Sequence, residues 1–280
     1  MYITQAFNVL HDWWRYVIGV IVAIIGVFVF SLPHLLAILG KRMNAEVDLD
    51  QLDDVNYLMT LFDSNTNLVY ILLPFAGGLF FLWFAVKLLH KQSIRHLTTS
   101  RKKIDWKRIW FAFFFWGILS SALIMLDYFL SPENYVYNFE WQRFAILAVI
   151  AIILVPLQTS FEEYLFRGYL MQGIGVLVKN KWVPLVLTSV IFGMLHIANP
   201  EVDKLGYTIM IYYIGTGLFL GILTLMDEGL ELALGFHAAN NLFTALLVTA
   251  NWTAFQTHSI FKDVAEPTLG FIDLILPVFI

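Results

Sequence analysis

The chain has 280 residues, of which 59% are hydrophobic and 14% charged, against roughly 25% charged in soluble domains, and its mean hydropathy is +0.73. It contains no cysteine, which excludes disulfides, thiolate metal sites and cysteine nucleophiles. The net charge of -4 says little because the charges are segregated along the chain, and no basic fold element suited to nucleic acid stands out.

Apolar runs long enough to cross the bilayer core (about 20 residues) dominate the chain. The first, Tyr16 to Leu39, contains Pro33 and is too long for a signal-peptide core, so it reads as a retained helix. The second spans Asn67 to Leu89 and the third Ile109 to Leu130. A fourth begins near Phe144 and continues past Pro156 into a more polar helix ending about Val178. Three more follow at Trp182 to Ala198, Gly206 to Met226 and Leu230 to Ala250. A last apolar piece, Thr268 to Ile280, is too short to span alone; it is either interfacial or part of an eighth helix. The expected architecture is an all-α polytopic transmembrane bundle of about seven to eight helices. Residues 1–142 form three N-terminal spans, 143–250 a core, and 251–280 a polar loop with the short apolar segment.

The loop between the second and third spans is basic, with Lys87, Lys91, Arg95, Arg101, Lys102, Lys103, Lys107 and Arg108 against Asp105 alone. Basic short loops stay in the cytoplasm, which places the N-terminus inside; the expected location is the cell (inner) membrane. The acidic loops after the first and third spans then face outward. The same basic loop can attract anionic lipid, although an orientation signal accounts for it without that.

Three polar motifs interrupt the last four apolar runs. Phe161-Glu162-Glu163-Tyr164-Leu165-Phe166-Arg167 follows an apolar run of membrane length, where ionisable groups are costly and usually functional. Glu163 and Arg167 lie four apart on one helix face and can pair, whereas Glu162 points about 100° away and is free for proton transfer. The plainer reading is a solvated interfacial segment with a helix-stabilising pair. Phe192-Gly193-Met194-Leu195-His196 closes the fifth run, with Phe192 one turn before His196. A lone histidine there can also be a structural cap, and Phe192 packs on either reading. His237-Ala238-Ala239-Asn240-Asn241 puts His237 and Asn241 on one face of the seventh helix. Both can donate to an oxyanion, or simply bond across helices; Asn240 faces elsewhere and reads as structural. His34, beside Pro33, is a lone residue and is read as structural.

Glu-Glu-x-x-x-Arg, then Phe-x-x-x-His, then His-x-x-x-Asn, in that order and each on a helix, resembles the CPBP family of intramembrane proteases. These are the CAAX proteases and bacteriocin-processing enzymes, related to the Ras-converting endopeptidase. The resemblance covers about Phe144 to Ala250 and leaves the first three helices aside. It implies a bundle of about eight helices with a cavity reaching into the membrane. By that resemblance Glu162 and His196 activate a water, His237 and Asn241 stabilise the oxyanion, and Glu163 and Arg167 order the site, with Phe192 in support.

The expected activity is therefore metal-free intramembrane endopeptidase cleavage of a membrane-associated peptide or protein, lipidated or not, with no cofactor. Two alternatives remain. Glu162, His196 and His237 can supply three ligands to zinc with one position open, or the chain is a non-catalytic immunity or scaffold protein. One conflict stands out. Strict alternation of spans puts Glu162 and His237 toward the cytoplasm and His196 toward the outside. Convergence of the three is expected all the same, with the Glu162 helix bent near Pro156.

Overall fold

The structure, a computed structural model, describes residues 2–51 and 54–267. The apolar piece Thr268 to Ile280 lies outside the described residues. A 3-10 helix, Ile3–Asn8, precedes eleven described α-helices: α1 (Trp13–Met43), α2 (Val55–Thr60), α3 (Ser64–Leu89), α4 (Ile94–Thr98), α5 (Trp106–Leu130), α6 (Trp141–Glu163), α7 (Met171–Val178), α8 (Trp182–Met194), α9 (Pro200–Leu205), α10 (Met210–Asp227) and α11 (Glu231–Leu247). Five stretches are long and apolar enough to cross a membrane: α1, α3, α5, the continuous rod Trp141–Val178, and Tyr207–Asp227. The protein is thus an all-α, polytopic membrane bundle completed by the shorter α8 and α11.

The helix boundaries follow local chemistry. Asp63, Ser93 and Asp105 each accept a backbone N–H in the first turn of α3, α4 and α5 respectively, satisfying donors that a helix start leaves without partners. Lys179 and Glu228, at φ 52° and 56°, stop α7 and α10 in the left-handed conformation. Pro156 is absorbed inside α6. The rod departs from α geometry only later, at Tyr164–Leu170, which is a π-helix directly after the two glutamates.

The core is built from helix pairs: α1 on α3, α11 on α5 and α6, and α8 on α10. Close approach is enforced by glycines. A Cβ on Gly235 would run into the backbone carbonyl of Ile109, and one on Gly217 would come within 2.9 Å of the Ser189 carbonyl oxygen.

Two features were not expected. A small sheet joins β1 (Tyr135–Tyr137), β2 (Val248–Ala250) and β3 (Phe261–Asp263), in the order β1-β3-β2, with β1 antiparallel and β2 parallel to β3. It caps the face opposite the basic loop, and it takes the end of the seventh run, so α11 stops at Leu247. The basic loop itself is folded onto the protein. Arg101 pairs with Asp227 (2.9 Å) and Glu231 (3.2 Å), and Arg108 with Asp227 (2.5 Å). Thr99 bridges Gly229. The carboxylates at the α10–α11 turn thereby hold two of the loop's arginines against the protein.

Candidate active site

Glu163 is fully buried, and its Oε1 accepts two hydrogen bonds: from Arg167 Nη1 at 3.0 Å and from His237 Nδ1 at 2.8 Å. Arg167, also fully buried, spends Nη2 on the Gly217 carbonyl (3.2 Å) and lays its guanidinium over Phe192, 4.2 Å from the ring centre. The guanidinium is thus held by one bond to a carboxylate, one to a carbonyl and an aromatic face, while its Nε and Glu163 Oε2 are buried without a partner. The expected Glu163–Arg167 pair is therefore present, and it also holds His237, a link the spacing alone did not reveal.

With Nδ1 held by Glu163, His237 turns its Nε2 toward the other carboxylate, 3.5 Å from Glu162 Oε2. That is long for a direct hydrogen bond. It leaves both atoms able to contact one water, at about 2.8 Å from each. The two adjacent glutamates therefore occupy opposite edges of one imidazole, as their roughly 100° separation on a helix requires.

His196 is not on a helix: α8 ends at Met194, and His196 sits in the turn that follows. Its Nδ1 donates to the Phe192 carbonyl (2.8 Å), which leaves Nε2 as the acceptor. Its ring stacks on Tyr213 at 4.4 Å. Phe192 stands between the two histidines, its ring centre 4.8 Å from that of His196 and 6.2 Å from that of His237.

The conflict over depth disappears in this arrangement. The rod that carries Glu162 ends at Val178, not at the glutamates, so Glu162 lies well inside it. Glu162 lies sixteen residues back from Val178 and His196 fourteen on from Trp182. The hairpin between α7 and α8 thus brings both to a similar level. The thirteen residues of α8 cover only about 20 Å, less than a bilayer core of about 30 Å. No bend at Pro156 is needed.

Asn241 donates through Nδ2 to Gln158 Oε1 (3.1 Å) and accepts from Asn240 Nδ2 (3.2 Å), and Asn240 accepts from Trp116 Nε1 (3.0 Å). An indole nitrogen can only donate, so the polarity of the whole chain is set, and Asn241 presents its NH2 toward α6. Asn240, read as structural, is the link that does this. Gln158 went unnoticed in the sequence, although it lies four residues before Glu162 on the same helix face. Tyr213 carried no signal at all.

Glu162, His196 and His237 offer one oxygen and two free imidazole nitrogens. Among the described residues, however, no three His, Asp or Glu side chains gather as a metal centre would require.

Residues 140–243 match the family described as type II CAAX prenyl endopeptidase Rce1-like. The uncharacterized protein YyaK of Bacillus subtilis (strain 168) is 35% identical over 244 residues, covering 84% of this chain and 78% of YyaK. No solved structure matches the chain.

Proposed function

Since the chain belongs to the Rce1-like family of CAAX-type proteases, we propose that it is a metal-independent intramembrane endopeptidase in which Glu162 is the general base. The observation that carries this reading is the pair of carboxylates on the two edges of His237, 2.8 Å from Nδ1 and 3.5 Å from Nε2. One carboxylate is committed to orientation and the other is left for chemistry.

In this mechanism a water beside Glu162 attacks the scissile carbonyl carbon and gives its proton to the Glu162 carboxylate. His196, whose Nε2 is free because Nδ1 is held by Phe192, accepts a hydrogen bond from the same water. The carbonyl oxygen becomes an oxyanion. Asn241 Nδ2 carries two protons, one on Gln158 and the other available to that oxygen. His237 assists at that oxygen from Nε2 while Glu163 holds its Nδ1. The proton on Glu162 then passes to the departing amine as the C–N bond breaks. Preorganised donors of this kind typically contribute 10²- to 10³-fold each. The substrate is a membrane-associated peptide or protein, and the N-terminus and basic loop face the cytoplasm, as short basic loops do.

The test is a comparison of protein N-termini in membranes from cells carrying wild type or Glu162→Ala. Membrane-proximal termini that vanish in the variant support the reading; identical sets refute it. Repeating the assay on purified protein with a chelator addresses the metal. Cleavage that persists supports the metal-free mechanism, and cleavage lost and then restored by zinc overturns it.

A further inference from the structure

A cavity of about 540 Å³ opens at the hairpin between α7 and α8, on the face of the basic loop. Its size falls within the usual range of small-molecule sites. Its lining is mixed: Ile3, Phe7 and Trp182 supply apolar wall, and Lys179, Lys181 and Asn180 line it as well. The walls are tied down. Ile3 packs so closely on α7 that a Cβ at Gly175 would meet its side chain at 2.5 Å. Tyr2, next to it, is buried and donates to the Leu97 carbonyl at 2.5 Å. Asn180 Oδ1 caps the start of α8 through the Trp182 N–H at 2.6 Å. Lys181 lies 5.4 Å from the Trp182 ring. Neither Lys179 nor Lys181 forms an ion pair among the described residues, whereas Arg101 and Arg108 on the same face are committed to Asp227.

Phe7 and Trp182 remain 47% and 62% exposed at this rim, as aromatic side chains do at the headgroup level of a bilayer. Two ammonium groups without a carboxylate partner among the described residues, at the mouth of this cavity and at headgroup depth, complement an amphiphile with an anionic head. We propose that this cavity is a binding site for an anionic phospholipid. Its phosphate meets Lys179 and Lys181, and the start of an acyl chain lies against Phe7 and Trp182. Neutral apolar ligands leave both lysines unanswered, and free phosphate leaves the apolar walls exposed. The site is on the hairpin that sets Glu162 and His196 at a similar depth, but it does not depend on those residues being catalytic.

The test uses full-length protein in neutral detergent, with lipid adducts counted by native mass spectrometry. The probes are phosphatidylglycerol and phosphatidylcholine of identical acyl chains. Wild type should retain phosphatidylglycerol and release phosphatidylcholine. Lys179→Gln/Lys181→Gln should weaken phosphatidylglycerol retention about thirtyfold, since a basic group at an anionic surface contributes about fivefold. Lys102→Gln/Lys103→Gln, on the basic loop, should leave it unchanged. Equal retention of the two lipids by wild type overturns the proposal without recourse to any variant. So does equal weakening by the two double substitutions, which would mean general electrostatics, or displacement of the lipid by inorganic phosphate alone.

Discussion

Arg167→Met removes the cation from a pair in which both side chains are fully buried. Methionine fills similar volume, so little cavity is created, and the dominant loss is electrostatic. Glu163 keeps its hydrogen bond from His237 but loses the 3.0 Å contact to a guanidinium, in a place where water cannot replace it. Breaking one side of a buried pair costs about 3–5 kcal/mol, and loss of the stack over Phe192 adds about 1 kcal/mol. Thermal unfolding in detergent, followed by tryptophan fluorescence, should show the midpoint falling on the order of 10 °C. Glu163→Gln/Arg167→Met removes both charges and leaves a neutral acceptor for His237 Nδ1–H, so it should recover at least half of that loss. Arg167→Lys, which keeps the charge but cannot serve Glu163, Gly217 and the Phe192 face together, should fall between the two. An Arg167→Met protein within about 1 kcal/mol of wild type, or a double variant no better than the single, refutes the argument that this cation is held for Glu163.

Other outcomes follow from the same geometry. Glu162→Gln should lower cleavage of an identified substrate by about 10²- to 10⁴-fold, the usual contribution of general acid–base catalysis, while leaving the unfolding midpoint near wild type. Gly235→Ala should destabilise by about 1–3 kcal/mol because its methyl meets the Ile109 carbonyl; Gly168→Ala, whose methyl would sit 3.4 Å from Leu97, should be close to neutral in the same melt. Arg101→Ala should free the loop from Asp227 and Glu231 and speed tryptic cleavage at Lys102 and Lys103. A pH effect is expected on the opposite face, where His258 Nε2 meets Asp63 Oδ2 at 3.2 Å. Partial burial pushes the Asp63 carboxyl up, but the hydrogen bonds from His258 and the Asn65 N–H, with the His258 and Arg143 charges, outweigh it and hold it below the usual range. A lowered folded value means stability that is present above about pH 4 and lost as the pH falls through the folded value. The midpoint difference between wild type and Asp63→Asn should therefore shrink as the pH falls below about 4.

Much of this protein is legible in one dimension. Apolar runs of membrane length report themselves because the bilayer imposes a length and a composition on any helix that crosses it. The three motifs report themselves because Glu162, Glu163, Arg167, His237 and Asn241 are anomalous in such runs. The four-residue spacing of Glu163 and Arg167 predicts their contact, which the structure contains. What spacing could not reach was every relation between helices. Nothing local says that Glu163 is shared with His237 seventy-four residues away, that Trp116 sets the polarity of the Asn240–Asn241–Gln158 chain, or that the basic loop folds onto Asp227. Span counting conflicts with the expected convergence of His196 on Glu162 for the same reason. Alternating spans assume that each helix crosses fully, whereas α8 is short and the Glu162 rod overshoots to Val178.

The sequence by itself determined which residues cannot be comfortable in lipid, because that depends on hydropathy and local helical geometry alone. Only the tertiary structure decided which partners make them comfortable. Hydrogen bonds of about 3 Å between separate helices depend on packing registers, set by close contacts such as Gly217 on Ser189 and Gly235 on Ile109, that no single helix encodes.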